Sequence, residues 1–110
     1  MGRKPLKHVE GPVTVPAAGN HIFWFTFPEK TEPYMIDLVA AQLVTGTTCT
    51  CTLWLIQGTQ YMRIAREALT ANQPNLIYND MFLMSVGDQL KCQFVGLVGA
   101  DEVQWTVRGH

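Results

Sequence analysis

The stretch Thr48-Cys-Thr-Cys-Thr-Leu-Trp-Leu-Ile56 alternates between two kinds of side chain at every step. Residues 49, 51, 53 and 55 are cysteine or leucine, and the positions between them hold threonine or Trp54. Successive side chains of a β-strand point to opposite faces, so this period of two predicts a strand with one apolar and one threonine-rich face. The stretch therefore indicates an all-β fold.

Five more stretches of strand-like composition flank this one. They are residues 21–27, 34–44, 76–84, 89–95 and 102–108. Turn-forming residues such as Thr45-Gly46-Thr47 separate them, and we expect residues 34–44 and 48–56 to pair as a hairpin across that turn. About seven or eight short strands at regular spacing are typical of a single antiparallel β-sandwich or a barrel.

The segment 60–70 fits two interpretations. Its apolar residues follow the spacing of a helix face, and its alanine, glutamate, arginine and leucine favour helix by propensity. The segment is short, however, and its position between predicted strands favours a strand. A strand and a short helix both stay open.

Residues 1–11 differ in charge from the rest of the chain. Three basic residues and no acid give residues 1–8 a charge of +3, whereas the remainder holds five basic and nine acidic residues, or −4. We expect an extended basic arm, residues 1–11, that contacts a protein partner, and a body, residues 12–110, that folds without it. The arm residues expected to make that contact are Arg3, Lys4, Pro5, Lys7 and His8. A solvated tail is the alternative.

The composition argues against several classes of protein. Hydrophobic residues make up 47% of the 110 residues and charged residues 15%, a balance that argues against intrinsic disorder. No apolar stretch of about 18 residues occurs, so we expect no membrane-spanning helix and no membrane partner. Nucleic acid is not expected as a partner either, because the acidic body offers no basic face.

The cysteines and histidines do not form a metal-binding pattern. Cys49 and Cys51 are two residues apart and Cys92 stands alone, whereas structural zinc takes four ligands. The three histidines supply no spaced pair of further ligands. We therefore expect three buried free thiols, no metal and no cofactor.

No residue pattern indicates catalysis. Ser85 is the only serine and does not lie in a nucleophile motif. Among the scattered acids, Asp88 and Asp101 lie in predicted turns, where aspartate hydrogen-bonds to the local backbone. We expect no catalytic residue and no enzymatic activity.

Aromatic residues point to a contact surface. On a strand over residues 21–27 the three phenylalanines share one face, and Trp24 takes the other. Trp54 likewise lies on the threonine side of its strand. We expect Trp24, Tyr34 and Trp54 to lie on a face that a second subunit or another partner covers. The alternative is an exposed platform on which a sugar stacks.

From about Tyr34 to its end, the chain resembles the small virion proteins of tailed bacteriophages in the order of its elements. The stretches that carry the resemblance are Thr52-Leu-Trp-Leu-Ile56, Gln57-Gly-Thr59, Thr70-Ala-Asn-Gln-Pro74, Val86-Gly-Asp-Gln-Leu90 and Val103-Gln-Trp-Thr-Val-Arg-Gly109. The cysteines and the segment Met62-Arg-Ile-Ala-Arg-Glu67 depart from this pattern.

This resemblance implies a jelly-roll-like β-sandwich and a place in the virion, assembled in the cytoplasm of a bacterial host. The implied role is capsid decoration, in which a cement protein binds and stabilises the outer shell, or an accessory role at the neck or tail. The implied partners are the major capsid protein or another virion protein, and further copies of the chain, with a homotrimer expected. A carbohydrate-binding β-sandwich module is the alternative function.

Overall fold

The computed structural model describes residues 5–27 and 32–110, which form nine β-strands and no helix. The strands are β1 (Leu6–Thr14), β2 (Gly19–Thr26), β3 (Tyr34–Thr45), β4 (Thr48–Gln57), β5 (Gln60–Thr70), β6 (Asn75–Tyr78), β7 (Phe82–Met84), β8 (Gln89–Leu97) and β9 (Glu102–Gly109). The predicted all-β fold is confirmed. In this part of the chain, no helix is long and apolar enough to cross a membrane.

The strands form two antiparallel sheets that pack face to face. Sheet I contains β1, β9, β3 and β6 in that order, and β7 also pairs with β3. Sheet II contains β2, β8, β4 and β5. The chain passes from one sheet to the other at most of its connections, which is the arrangement of a jelly roll. The predicted antiparallel sandwich is therefore confirmed, and the barrel is excluded.

The predicted hairpin between residues 34–44 and 48–56 is wrong. These stretches are β3 of sheet I and β4 of sheet II, so the turn at Gly46 carries the chain across the core. Each strand already has two neighbours in its own sheet, and their apolar faces meet through the core instead of side by side. The hairpin of this region joins β4 to β5 through Gly58, whose φ of +64° suits a tight turn.

The segment 60–70 is a strand. It is β5, which pairs with β4 along its whole length at the edge of sheet II. The register shifts at Leu53 and Trp54, leaving Ile64 as an extra residue between the partners of these two. A bulge of this kind interrupts the period of two, which explains why the sequence pattern also fitted a helix.

The inner faces of the two sheets enclose one hydrophobic core. Its largest fully buried side chains include Trp105, Phe27, Phe94, Ile36, Leu53 and Leu69. Trp105 of β9 stacks on Phe23 of β2, with ring centroids 5.9 Å apart and planes at 11°. The predicted alternation over residues 21–27 is confirmed, because its three phenylalanines are buried and Trp24 lies outside.

Residues 6–11, predicted to belong to an arm, are instead part of β1, the edge strand of sheet I. The half-buried ring of His8 points toward the core and lies 4.9 Å from the ring of Phe25. The body of the fold therefore includes β1 and does not begin at residue 12. Arg3 and Lys4 lie outside the described residues.

The alternation of β1 was hidden by its charge and its proline. Half-buried inward positions are Leu6, His8, Glu10 and Val13, and the exposed outward ones include Lys7 and Val9. The register with β9 shifts between Glu10 and Val13, around Pro12. Proline has no N–H to donate to a ladder, and it is tolerated at an edge strand with such an irregularity.

Deleting residues 1–11 should destabilise the protein, because it removes six of the nine residues of β1 and uncovers the core beside Phe25. We expect the free energy of unfolding to fall by on the order of 3 kcal/mol. Deleting only residues 1–4 should leave it within about 0.5 kcal/mol of the full chain. Urea denaturation of the three proteins measures this. Equal stability of both truncated proteins would show that β1 contributes nothing to the fold.

Two turns are built in the same way around an aspartate, as the sequence predicts. The Asp88 carboxylate accepts a hydrogen bond of 2.9 Å from the N–H of Ser85, and the Asp88 N–H donates to the Ser85 carbonyl at 3.0 Å. Asp101 makes the same pair of bonds with Val98, at 3.0 and 3.1 Å. These aspartates therefore have a structural role.

The residue before each of these aspartates has a positive φ, which is +87° at Gly87 and +71° at Ala100. Side chains disfavour this conformation, so Ala100→Gly should raise the free energy of unfolding by about 0.5–1 kcal/mol. Gly87→Ala should lower it by about 1 kcal/mol, although the added Cβ would meet no atom. Chemical denaturation of both variants tests this pair, and a destabilised Ala100→Gly protein would contradict the expectation.

Candidate binding surfaces

The outer face of sheet II carries a row of aromatic and basic side chains. Trp24 of β2 lies opposite Lys91 of β8, which lies opposite Trp54 of β4. Arg63 of β5 comes next, opposite Trp54. These four residues and Tyr61 of β5 form the sheet II cluster. With strands about 4.8 Å apart, the row extends roughly 14 Å across the sheet.

Lys91 lies at the centre of this cluster, between two aromatic rings. Its Nζ atom is 5.4 Å from the ring centroid of Trp24 and 5.9 Å from that of Tyr61, within the range of cation–π contacts. Trp24 and Tyr61 are 43% and 55% exposed, respectively. Both residues are therefore accessible to a second molecule.

Trp54 is the half-buried member of the cluster. Its ring packs edge-on against Tyr61, with centroids 6.3 Å apart. Its Nε1 atom is shielded from solvent and has no hydrogen-bond acceptor among the described residues. Leaving such a donor unpaired costs roughly 1–3 kcal/mol.

The outer face of sheet II is positively charged. Arg66 of β5, opposite Thr52, adds a third cation to Lys91 and Arg63. Glu67 is the one carboxylate within β2, β4, β5 and β8; the register places it opposite Cys51 on the inner side, and it is exposed at the edge of the sheet. Among the described residues, His8 pairs with Glu10, and Arg108 and His110 pair with Asp37, and none of these pairs involves a cation of this face. The sequence-based expectation of a body without a basic face is therefore wrong for sheet II.

Exposed apolar side chains collect on the outer face of sheet I. Ile77 of β6 lies opposite Ala40 of β3, and Leu83 of β7 lies opposite Met35. Together with Leu38 of β3, these four residues form the sheet I apolar patch. Ile77 is 60% exposed and Leu83 is 52% exposed. Large aliphatic side chains exposed together in this way are typical of protein contact surfaces.

A charged group borders the sheet I apolar patch. Arg108 Nε donates a 3.0 Å hydrogen bond to Asp37 Oδ1, and His110 Nδ1 lies 3.1 Å from Asp37 Oδ2. The bond from Arg108 holds the pKa of Asp37 below its ordinary value of 3.8, although partial desolvation opposes this effect. Asp37 is therefore ionised at neutral pH, and the patch has a polar rim on this side.

The structure brings together two of the three residues predicted for a partner face. Trp24 and Trp54 share the outer face of sheet II. Tyr34 points inward instead and packs against the core, with its ring 5.5 Å from that of Phe27. It is placed there because it alternates with Met35, which takes the outward position of β3.

The predicted arm residues are dispersed. Arg3 and Lys4 lie outside the described residues, whereas Pro5 and Lys7 are exposed. His8 points into the sandwich, so it is a packing residue of β1. Of the five residues predicted to contact a partner, two are thus placed at an accessible surface.

Sequence reasoning missed Tyr61, Arg63 and the central role of Lys91. Lys91 lies in the predicted strand 89–95, but nothing in that stretch connects it to the aromatic residues. Tyr61 and Arg63 lie in the segment left open between strand and helix. The stretch Gln57-Gly-Thr-Gln60 holds the signal that would have found them, because a hairpin there sets Tyr61 beside the end of β4.

The three cysteines are buried free thiols, as the sequence predicts. Cys51 Sγ and Cys92 Sγ are 3.7 Å apart on neighbouring strands. Burial raises the pKa of the Cys49 thiol from 9.0 to about 11, and it raises the pKa of Cys92 well above 9.0. In the described residues, no group of three or more His, Cys, Asp or Glu side chains is arranged to hold a metal ion.

Because burial raises the pKa of Cys49, we expect the protein to lose stability at alkaline pH. Between pH 9 and 11 the unfolded chain releases the Cys49 proton that the native protein keeps, so the free energy of unfolding falls as pH rises through this range. Cys49→Ala should be less stable at pH 8 by about 1 kcal/mol but should lose less between pH 9 and 11. Denaturation curves across this range compare the two slopes, and parallel slopes would contradict the effect of Cys49.

The topology and these surfaces define the class of the protein, which is a jelly-roll β-sandwich with exposed side chains suited to contacts on both outer faces. No protein-family model and no curated protein matches the chain.

Proposed function

We propose that the protein is a structural virion protein that works by binding, and most specifically a capsid decoration protein that stabilises an outer shell. The sheet I apolar patch is the observation that carries this proposal. The jelly-roll fold supports it, because viral capsid domains use this fold, although lectins use it too. The resemblance of residues 34–110 to small phage virion proteins supports it as well.

The sheet I apolar patch suits association between copies of the chain. Ile77 and Leu83 expose more than half of their surface to water, and burying one such side chain stabilises a contact by about 1.5–3 kcal/mol. The rim formed by Asp37 and Arg108 limits the orientations in which two patches can meet. Closed symmetric rings are the usual result of such self-association, and we propose a trimer.

The free edge of β1 suits attachment to the shell. β1 ends sheet I, so its outer backbone groups are available to a strand from a partner. Pro12 and the shifted register interrupt its second half, which leaves residues 6–10 as the regular part of the edge. Residues 1–5 precede this edge, and we propose them, in place of residues 1–11, as the strap. Many copies on a symmetric shell would add weak contacts through multivalency.

The self-association surface is tested by Ile77→Arg and Leu83→Arg. Each variant places a charge in the proposed contact, so each should convert the oligomer into a monomer without loss of folding. The matched control is Val98→Arg, which changes a 52% exposed valine in a distant turn. Light scattering gives the mass, and circular dichroism checks the fold. If the wild-type protein is a monomer, or if the variants keep the wild-type mass, the sheet I apolar patch does not mediate self-association.

Carbohydrate binding is the second candidate function. The observation that favours it is the exposed ring of Trp24 beside Lys91 and Tyr61 on sheet II. Aromatic rings of this kind offer a flat apolar surface with a polar edge, which suits the apolar face of a sugar. This candidate uses sheet II, so it is compatible with self-association through sheet I.

A further inference from the structure

We propose that the outer face of sheet II binds an acidic glycan, with the ammonium group of Lys91 pairing with a carboxylate of the sugar. The inference rests on the second candidate function and goes further by assigning the charge of the ligand. It does not depend on self-association through sheet I.

The first support is the charge of the face. Lys91, Arg63 and Arg66 lie in two adjacent cross-strand rows, and no described carboxylate pairs with any of them. The chain as a whole carries a net charge of −1, so this concentration of positive charge is local. A cation without a partner, held between two rings, is free to form a charge-assisted hydrogen bond with a ligand oxygen.

The second support is the chemistry around the cations. Trp24 and Tyr61 are exposed, and several neighbouring outward positions hold hydroxyl or amide side chains. These polar neighbours are Thr26, Thr50, Thr52, Gln89 and Gln93. Hydroxyl and amide groups both donate and accept hydrogen bonds, as sugar hydroxyls require.

The spacing of charge favours a glycan over a nucleic acid. Nucleic acids carry a phosphate at every nucleotide, and proteins that bind them spend many basic side chains on that backbone. The sheet II face has three cations among threonines and glutamines, and the pI of the chain is about 6.2. An oligosaccharide with one carboxylate per sugar unit has fewer charges and more hydroxyls, and it fits this mixture of side chains better.

The test measures binding of tetragalacturonic acid and of its methyl ester by titration calorimetry on the full chain. The two probes share one sugar backbone and differ in charge. We expect the acid to bind about tenfold more tightly than the ester, and we expect that difference to shrink as salt rises. Lys91→Gln should abolish the difference while keeping the affinity for the ester. Val98→Glu makes the same change of net charge at an exposed residue outside the cluster and should behave as wild type, and Trp24→Ala should weaken both probes.

Each remaining outcome overturns a defined part of the proposal. Equal affinity for acid and ester would overturn the acidic ligand but keep carbohydrate binding. Tight binding of a ten-nucleotide oligothymidylate, lost in Lys91→Gln, would replace the glycan with a nucleic acid. Absence of saturable binding to either sugar probe, with a wild-type circular dichroism spectrum, would overturn this inference together with the carbohydrate-binding candidate. Self-association through sheet I is measured separately and would stand.

Discussion

The stacking of Trp105 on Phe23 is the contact on which the rest of the sandwich depends. Trp105 lies on β9, which pairs with both β1 and β3, so its ring fixes the middle of sheet I against edge strand β2 of sheet II. Its indole N–H donates to Glu10 Oε1 at 3.2 Å, and the ring of His8 lies edge-on to it at 6.1 Å. One buried side chain thus positions edge strands of both sheets. This is also the physical reason why β1 belongs to the fold.

Burial of the apolar side chains in the core determines which residues lie on the outer face of sheet II. Because the side-chain period of a strand is two, burying Phe23 and Phe25 leaves Trp24 on the outer face. Burying Leu53 and Leu55 does the same for Trp54. A threonine or glutamine would also suit either outward position, and such residues fill several of the other outward positions of sheet II, among them Thr50, Thr52 and Gln93. Two tryptophans on that face are therefore better explained by a contact than by the stability of the sandwich.

The strands could be predicted from the sequence because their period of two is local, whereas their pairing depends on distant residues. The alternation over residues 48–56 and 21–27 was sufficient to place Cys51, Trp54 and Trp24 on the correct faces. The assignment of β3 and β4 to different sheets was not accessible, since a short turn at Gly46 suits both a hairpin and a crossing of the core. Predicting the sheet II cluster requires the register of β5 with β4. The bulge at Ile64 concealed that register in the sequence.

The two proposed contact surfaces face in opposite directions, because sheets I and II share one core through their inner faces. Copies that associate through Ile77 and Leu83 therefore leave Lys91 and its aromatic neighbours open to solvent. In a ring of copies the sheet II cluster is repeated around the assembly, so that a polymeric glycan meets several identical sites. Weak binding at one cluster then becomes strong binding by the whole, at an effective concentration set by the spacing of the copies. If the protein is bound to a symmetric shell, the shell presents many copies of the sheet II cluster. The same symmetry that strengthens attachment to the shell would then strengthen binding to a polymeric glycan.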